Sequence, residues 1–112
     1  MYAEAIELHN DGMSAMLHTP WGHKNITTNL IGQFNLSNLL GVIAALGHLG
    51  FSFTTICELI KNPPPIPGRM QRLGTAHQPT VIVDYAHTPD ALEQLLLTLR
   101  AHCPGQLKLI FG

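Results

Sequence analysis

Four prolines in five positions, Pro63-Pro64-Pro65-Ile66-Pro67, limit this chain more than any other feature. Proline fixes φ and lacks a backbone N–H, so the run continues neither a helix nor a central strand. It should be extended and stiff, as a spacer between domains is. The chain therefore reads as two domains, residues 1–62 and 69–112, joined by a linker at 63–68. A rigid loop inside one domain is the alternative, and 112 residues alone would suggest a single domain.

Before the prolines the pattern changes once. Glu4 to His9 alternates, with Ile6 and Leu8 on one face. Asn10-Asp11-Gly12 marks a turn, and Met13 to Thr19 alternates again with Met13, Ala15 and Leu17 together. This predicts a β-hairpin. Pro20-Trp21-Gly22-His23 predicts a second turn, with Trp21 as a packing anchor, and Ile26, Thr28 and Leu30 mark a third strand. From Gly32 the spacing turns helical: Leu36, Leu39, Leu40, Ile43 and Leu46 share a face, Asn35 fits the N-cap, and Gly50 fits the stop. A second helix is expected over 55–61, opened by a Thr55–Glu58 capping box and apolar at Ile56, Leu59 and Ile60.

After the prolines, 70–75 and 80–84 read as strands. Thr88, Pro89 and Asp90 then open a helix as N-cap, N1 and first-turn acid. Leu92, Leu95, Leu96 and Leu99 give it an apolar stripe, Pro104-Gly105 ends it, and 107–111 reads as another strand. Strand, helix and strand in this order predict a βαβ unit with parallel strands. The fold class is α/β. A closing strand with nothing after it leads us to expect a piece of a longer chain.

A net charge of −1, with 12% of residues charged, argues against a surface built to neutralise nucleic-acid phosphates. It leaves room for a single nucleotide. The 46% apolar content suits a folded protein. Cys57 and Cys103 lack CxxC spacing and read as two reduced, packed thiols. No apolar run reaches membrane-spanning length, no signal peptide is recognised, and a cytoplasmic protein is expected.

Candidate site residues cluster where elements begin and end. Asp84 ends a strand, where an acid can accept ribose hydroxyls or help hold a hydrated metal, or bond its own turn. His87 precedes a helix N-terminus, a favourable place for an anion, or packs within the turn. Arg69 follows the linker and offers several donors to phosphate, or is solvated. Asn35 and Asn38 share a helix face, and carboxamides can read an adenine edge; capping and solvent are their plainer roles. The other histidines (His9, His18, His23, His48, His77, His102) show no ligand spacing and read as surface or hairpin residues, so no metal ligands are assigned. There is no GxxxxGK[ST] phosphate loop and no nucleophile–base pairing, so no catalytic residue is assigned.

In three stretches, in order, the chain resembles the Mur ligases of peptidoglycan synthesis. Gly32-Gln33-Phe34-Asn35-Leu36-Ser37-Asn38-Leu39-Leu40 is similar to the family's G-x-F-N-x-x-N-L-L helix start, and Gly68-Arg69-Met70 to its G-R-M junction. Asp84-Tyr85-Ala86-His87-Thr88-Pro89-Asp90-Ala91-Leu92 is similar to its D-Y-A-H-T-P-D-A-L segment. The resemblance implies that residues 1–62 are the end of a central ATPase domain, an antiparallel meander plus two helices. Residues 69–112 would begin a Rossmann-like C-terminal domain. It implies adenine contacts for Asn35 and Asn38, and ribose or phosphate contacts for Arg69 and Asp84, with His87 nearby. ATP and magnesium are the implied cofactors, held mainly by residues outside this chain. The implied partners are a UDP-linked muramoyl dipeptide and a diamino acid, diaminopimelate rather than lysine on overall likeness.

The implied reaction is ATP-driven amide formation through an acyl phosphate, with positioning and electrostatics as the means. Because the phosphate loop lies elsewhere, the chain alone should be inactive. Gln71 stands where the family often has Glu. Two other readings remain. In a folylpolyglutamate synthase-like ligase the turn usually reads D-G-A-H-N-P, against Tyr85 and Thr88. A non-catalytic nucleotide-binding module would explain the missing phosphate loop.

Overall fold

Strict alternation builds the first sheet. In the computed structural model, which describes residues 1–75 and 77–112, strands β1 (Tyr2–His9), β2 (Gly12–Thr19) and β3 (Gly22–Thr28) form an antiparallel meander in the order β1-β2-β3. Asn10-Asp11 and Pro20-Trp21 are its two-residue turns. Met13, Ala15 and Leu17 of β2 fall on one face and are almost wholly buried. The third strand stops at Thr28, two residues short of Leu30. β1 carries a bulge between Glu4 and Glu7, where Ala5 takes a φ of 50°.

Helix α1 (Gln33–His48) and helix α2 (Phe53–Leu59) cover that face. Leu36, Leu39 and Ile43 of α1 meet Ile56, Cys57 and Ile60 in one apolar cluster with β2 and Ile26. Burying each such large side chain contributes about 1.5–3 kcal/mol. Trp21 packs against α1 where Gly47 leaves room for the indole, and its ring meets His48 edge-on at 5.4 Å. A bond from the Asn29 N–H to the Lys61 carbonyl (3.1 Å) ties the end of β3 to the end of α2.

Both expected caps move. The N-cap of α1 is Gly32, at φ 95°, and Asn35 sits three residues inside. α2 begins earlier than expected, capped by Ser52, whose Oγ accepts the Thr55 N–H at 3.2 Å. Glu58 is thereby free of a capping role and pairs with Lys61 at 2.9 Å. Leu59 faces outward at 54% exposure, and Cys57 takes the core position instead.

Two compact units result, Met1–Pro63 and Pro64–Gly112. The second holds strands β4 (Gln71–Leu73) and β5 (Val81–Val83), paired antiparallel with Arg72 opposite Ile82, followed by α3 (Pro89–His102). The mixed α/β class is as expected, but the third leg of the βαβ unit is not formed. Residues 107–111 join no ladder. Leu107 and Leu109 line an open groove along α3 with Leu92 and Leu96, and Leu109, Ile110 and Phe111 are exposed. Strand propensity is realised through pairing and burial, and a three-residue ladder offers little of either. His102, expected at the surface, is buried at the end of α3.

Candidate functional site

The second unit brings its site together through one turn and one carboxylate. Ile66-Pro67-Gly68-Arg69 closes with a bond from the Arg69 N–H to the Ile66 carbonyl, 3.1 Å. Proline followed by a glycine at φ 71° suits a type II turn. The Gly68 N–H donates to Gln71 Oε1 at 3.1 Å, a bond that a glutamate carboxylate would accept equally well. The next residue, Met70, takes a φ of 45°, which is costly for a side chain of its kind and needs holding.

Asp84 holds it. At the end of β5, its Oδ2 accepts the Met70 N–H at 2.9 Å, and its Oδ1 accepts the Ala86 N–H at 2.9 Å. The second bond is the turn-acid role; the first reaches fourteen residues back. Each carboxylate oxygen keeps lone-pair capacity, and Asp84 is half-buried.

The clamp places Arg69 over the turn that follows β5. Its guanidinium carbon lies 5.5 Å from the centre of the Tyr85 ring, within cation–π range. His87 meets the same ring edge-on at 5.3 Å, and its Nδ1 is 3.1 Å from the Tyr85 carbonyl oxygen. Arg69, Tyr85 and His87 are all exposed. Among the described residues no carboxylate forms an ion pair with Arg69. Thr88 caps α3 by accepting the Ala91 N–H at 3.2 Å, with Pro89 at N1, as expected.

The other candidate pair lies in the first unit. Asn35 Nδ2 donates to the Ile31 carbonyl at 2.8 Å, and Asn38 Nδ2 donates to Asn35 Oδ1 at 3.2 Å. Asn35 anchors the start of α1 and keeps a second amide hydrogen and a second lone pair. Asn38 is exposed and keeps its carbonyl oxygen and a second amide hydrogen for a ligand.

The structure therefore joins Arg69, Asp84 and His87 in one unit and Asn35 with Asn38 in the other. Sequence reading missed Tyr85, although an aromatic residue inside an otherwise polar turn was a signal. Among the described residues no three His, Cys, Asp or Glu side chains are grouped to hold a metal ion, and no helix is long and apolar enough to cross a membrane.

Comparison with known proteins agrees with this arrangement of motifs. Residues 1–46 match the Mur ligase middle domain, and residues 68–112 match the Mur ligase glutamate ligase domain. The chain belongs to the Mur ligase family. Within it, the chain is similar to UDP-N-acetylmuramoyl-L-alanyl-D-glutamate–2,6-diaminopimelate ligase. It is 46% identical to that of Coxiella burnetii, over 98% of this chain and 22% of the relative. It is 44% identical to that of Pseudomonas syringae pv. tomato, over 100% and 23%. A solved structure of a ligase of that name superposes with a TM-score of 0.76 at 33% identity, over 90% of this chain and 20% of that one. The UDP-N-acetylmuramoylalanyl-D-glutamyl-2,6-diaminopimelate–D-alanyl-D-alanyl ligase of Acinetobacter baumannii shares the fold, with a TM-score of 0.78 at 24% identity over 90% and 23%. The chain spans roughly a fifth of the length of the curated relatives it matches.

Proposed function

We propose that this chain is a nucleotide-contacting part of a cytoplasmic, ATP-dependent ligase that adds a diamino acid, diaminopimelate, to UDP-N-acetylmuramoyl-L-alanyl-D-glutamate. On this reading residues 1–62 end the central ATPase domain, 63–68 link, and 69–112 begin the Rossmann-like domain. The relatives named above support the substrate assignment.

The observation that carries the nucleotide role is the Asp84 clamp, which ties the turn bearing Arg69 to the turn bearing His87. An exposed guanidinium that pairs with no carboxylate among the described residues suits phosphate or ribose oxygens. The spare lone pairs of Asp84 suit ribose hydroxyls, and the carboxamides of Asn35 and Asn38 suit an adenine edge. His87 lies at the approach to α3, whose first turn favours negative charge. ATP, with its magnesium held mainly by groups outside this chain, would supply the phosphoryl group that activates a carboxylate toward the amine. In this role Arg69, Asp84 and the two asparagines orient the nucleotide.

The test is a ligation assay on two proteins, this chain alone and the whole protein encoded around it. With ATP, magnesium, the UDP-linked dipeptide and diaminopimelate, the whole protein should release phosphate and the chain alone should stay at the buffer blank. Turnover by the chain alone, or none by the whole protein, would overturn the reading.

A further inference from the structure

We infer that Tyr85 is a positioning residue: its ring holds the Arg69 guanidinium in the orientation that meets the nucleotide. The inference rests on the nucleotide reading of Arg69 given above and adds to it a residue that acts without touching the ligand.

Two observations and one principle converge. The Tyr85 ring is 66% exposed, so its face is open to a neighbouring side chain. That face lies within 5.5 Å of the Arg69 guanidinium carbon. An arginine reaches phosphate with a planar fork, and a flexible side chain in solvent must lose rotamer freedom to present it. A ring below the guanidinium removes part of that loss before the ligand arrives.

Both ends of the contact are themselves fixed. The Arg69 backbone is set by the Pro67-Gly68 turn on one side and by the Met70–Asp84 bond on the other. The ring is flanked by His87, whose edge meets it at 5.3 Å and whose Nδ1 lies 3.1 Å from the Tyr85 carbonyl oxygen. Asp84 and Tyr85 are adjacent, so one turn grips the Arg69–Met70 segment twice, once by backbone and once by side chain. The contact is made by the ring face.

The experiment is a titration of ADP into the whole protein, comparing wild type with Tyr85→Phe, Tyr85→Leu and Arg69→Ala. Thermal melting of each variant is measured alongside. Tyr85→Phe keeps the ring and should hold ADP within about twofold of wild type, whereas Tyr85→Leu should weaken it about two- to fivefold, with unchanged melting. In the Arg69→Ala background, Tyr85→Leu should have no further effect. If Arg69→Ala weakens ADP and Tyr85→Leu does not, the positioning role is overturned while the nucleotide reading stands. If Arg69→Ala itself leaves ADP binding unchanged, the nucleotide reading fails and takes this inference with it. Equal weakening by Phe and Leu would assign the effect to the hydroxyl and also overturn the inference.

Discussion

Asp84 accepts the backbone N–H of Met70 at 2.9 Å, joining the last residue before one turn to a strained residue after another. Its second oxygen takes the Ala86 N–H at the same distance. Replacing Asp84 with alanine strands both donors and removes what holds Met70 at positive φ. A loss of about 1–3 kcal/mol is expected in the second unit. Hydrogen exchange should show the Met70 and Ala86 amides losing protection before the rest of β4 and β5. Unchanged protection of both amides would show that the carboxylate is not the clamp.

The two interior glycines of α1 should respond in opposite directions to alanine. A Cβ at Gly47 would run into the Trp21 indole, so Gly47→Ala forces that ring to move and should cost about 1–3 kcal/mol. A Cβ at Gly41 meets nothing within 4 Å, so Gly41→Ala should add up to about 1 kcal/mol through helix propensity alone. Denaturant melts of the two variants give the signs directly.

The cysteines should separate by reactivity and by pH. Cys57 is buried in the core of the first unit and Cys103 is half-exposed; both are free thiols. Burial, the largest influence, pushes the Cys57 thiol above its ordinary value of 9.0, with Lys24 opposing and Glu58 adding. A raised value means that the folded state favours the neutral thiol. Its stabilising contribution is complete below pH 9.0 and disappears as pH climbs through the higher folded value. Iodoacetamide at neutral pH should therefore label Cys103 first and reach Cys57 only on opening of the first unit. Cys57→Ala should flatten the decline in stability above pH 9.0. Equal labelling rates would contradict the burial of Cys57.

Local patterns made much of this legible from the residues. Alternation around Asn10-Asp11-Gly12 and around Pro20-Trp21 specifies the hairpins, because a one-residue slip would turn Met13, Ala15 and Leu17 to solvent. Thr88-Pro89-Asp90 announces the start of α3 through three independent preferences. The misplaced caps have separate causes. Gly32 caps α1 through a left-handed backbone, which leaves no side-chain signature, and Ser52 lies upstream of the apolar residues that drew attention to Thr55. For the candidate site, Arg69, Asp84 and His87 could be picked out from their positions at element ends. Their assembly could not, since the Met70–Asp84 bond and the Arg69–Tyr85 contact join residues far apart in sequence. The apolar run at 107–111 shows the converse, strand propensity with no partner to pair against.

The most direct test concerns Arg69. In the whole protein, Arg69→Ala should raise the KM for ATP about tenfold or more, the loss expected when charge-assisted bonds to a nucleotide disappear. The KM values for the UDP-linked dipeptide and for diaminopimelate should stay close to wild type. An unchanged KM for ATP, or an equal rise for all three substrates, would contradict a nucleotide-contacting role for Arg69.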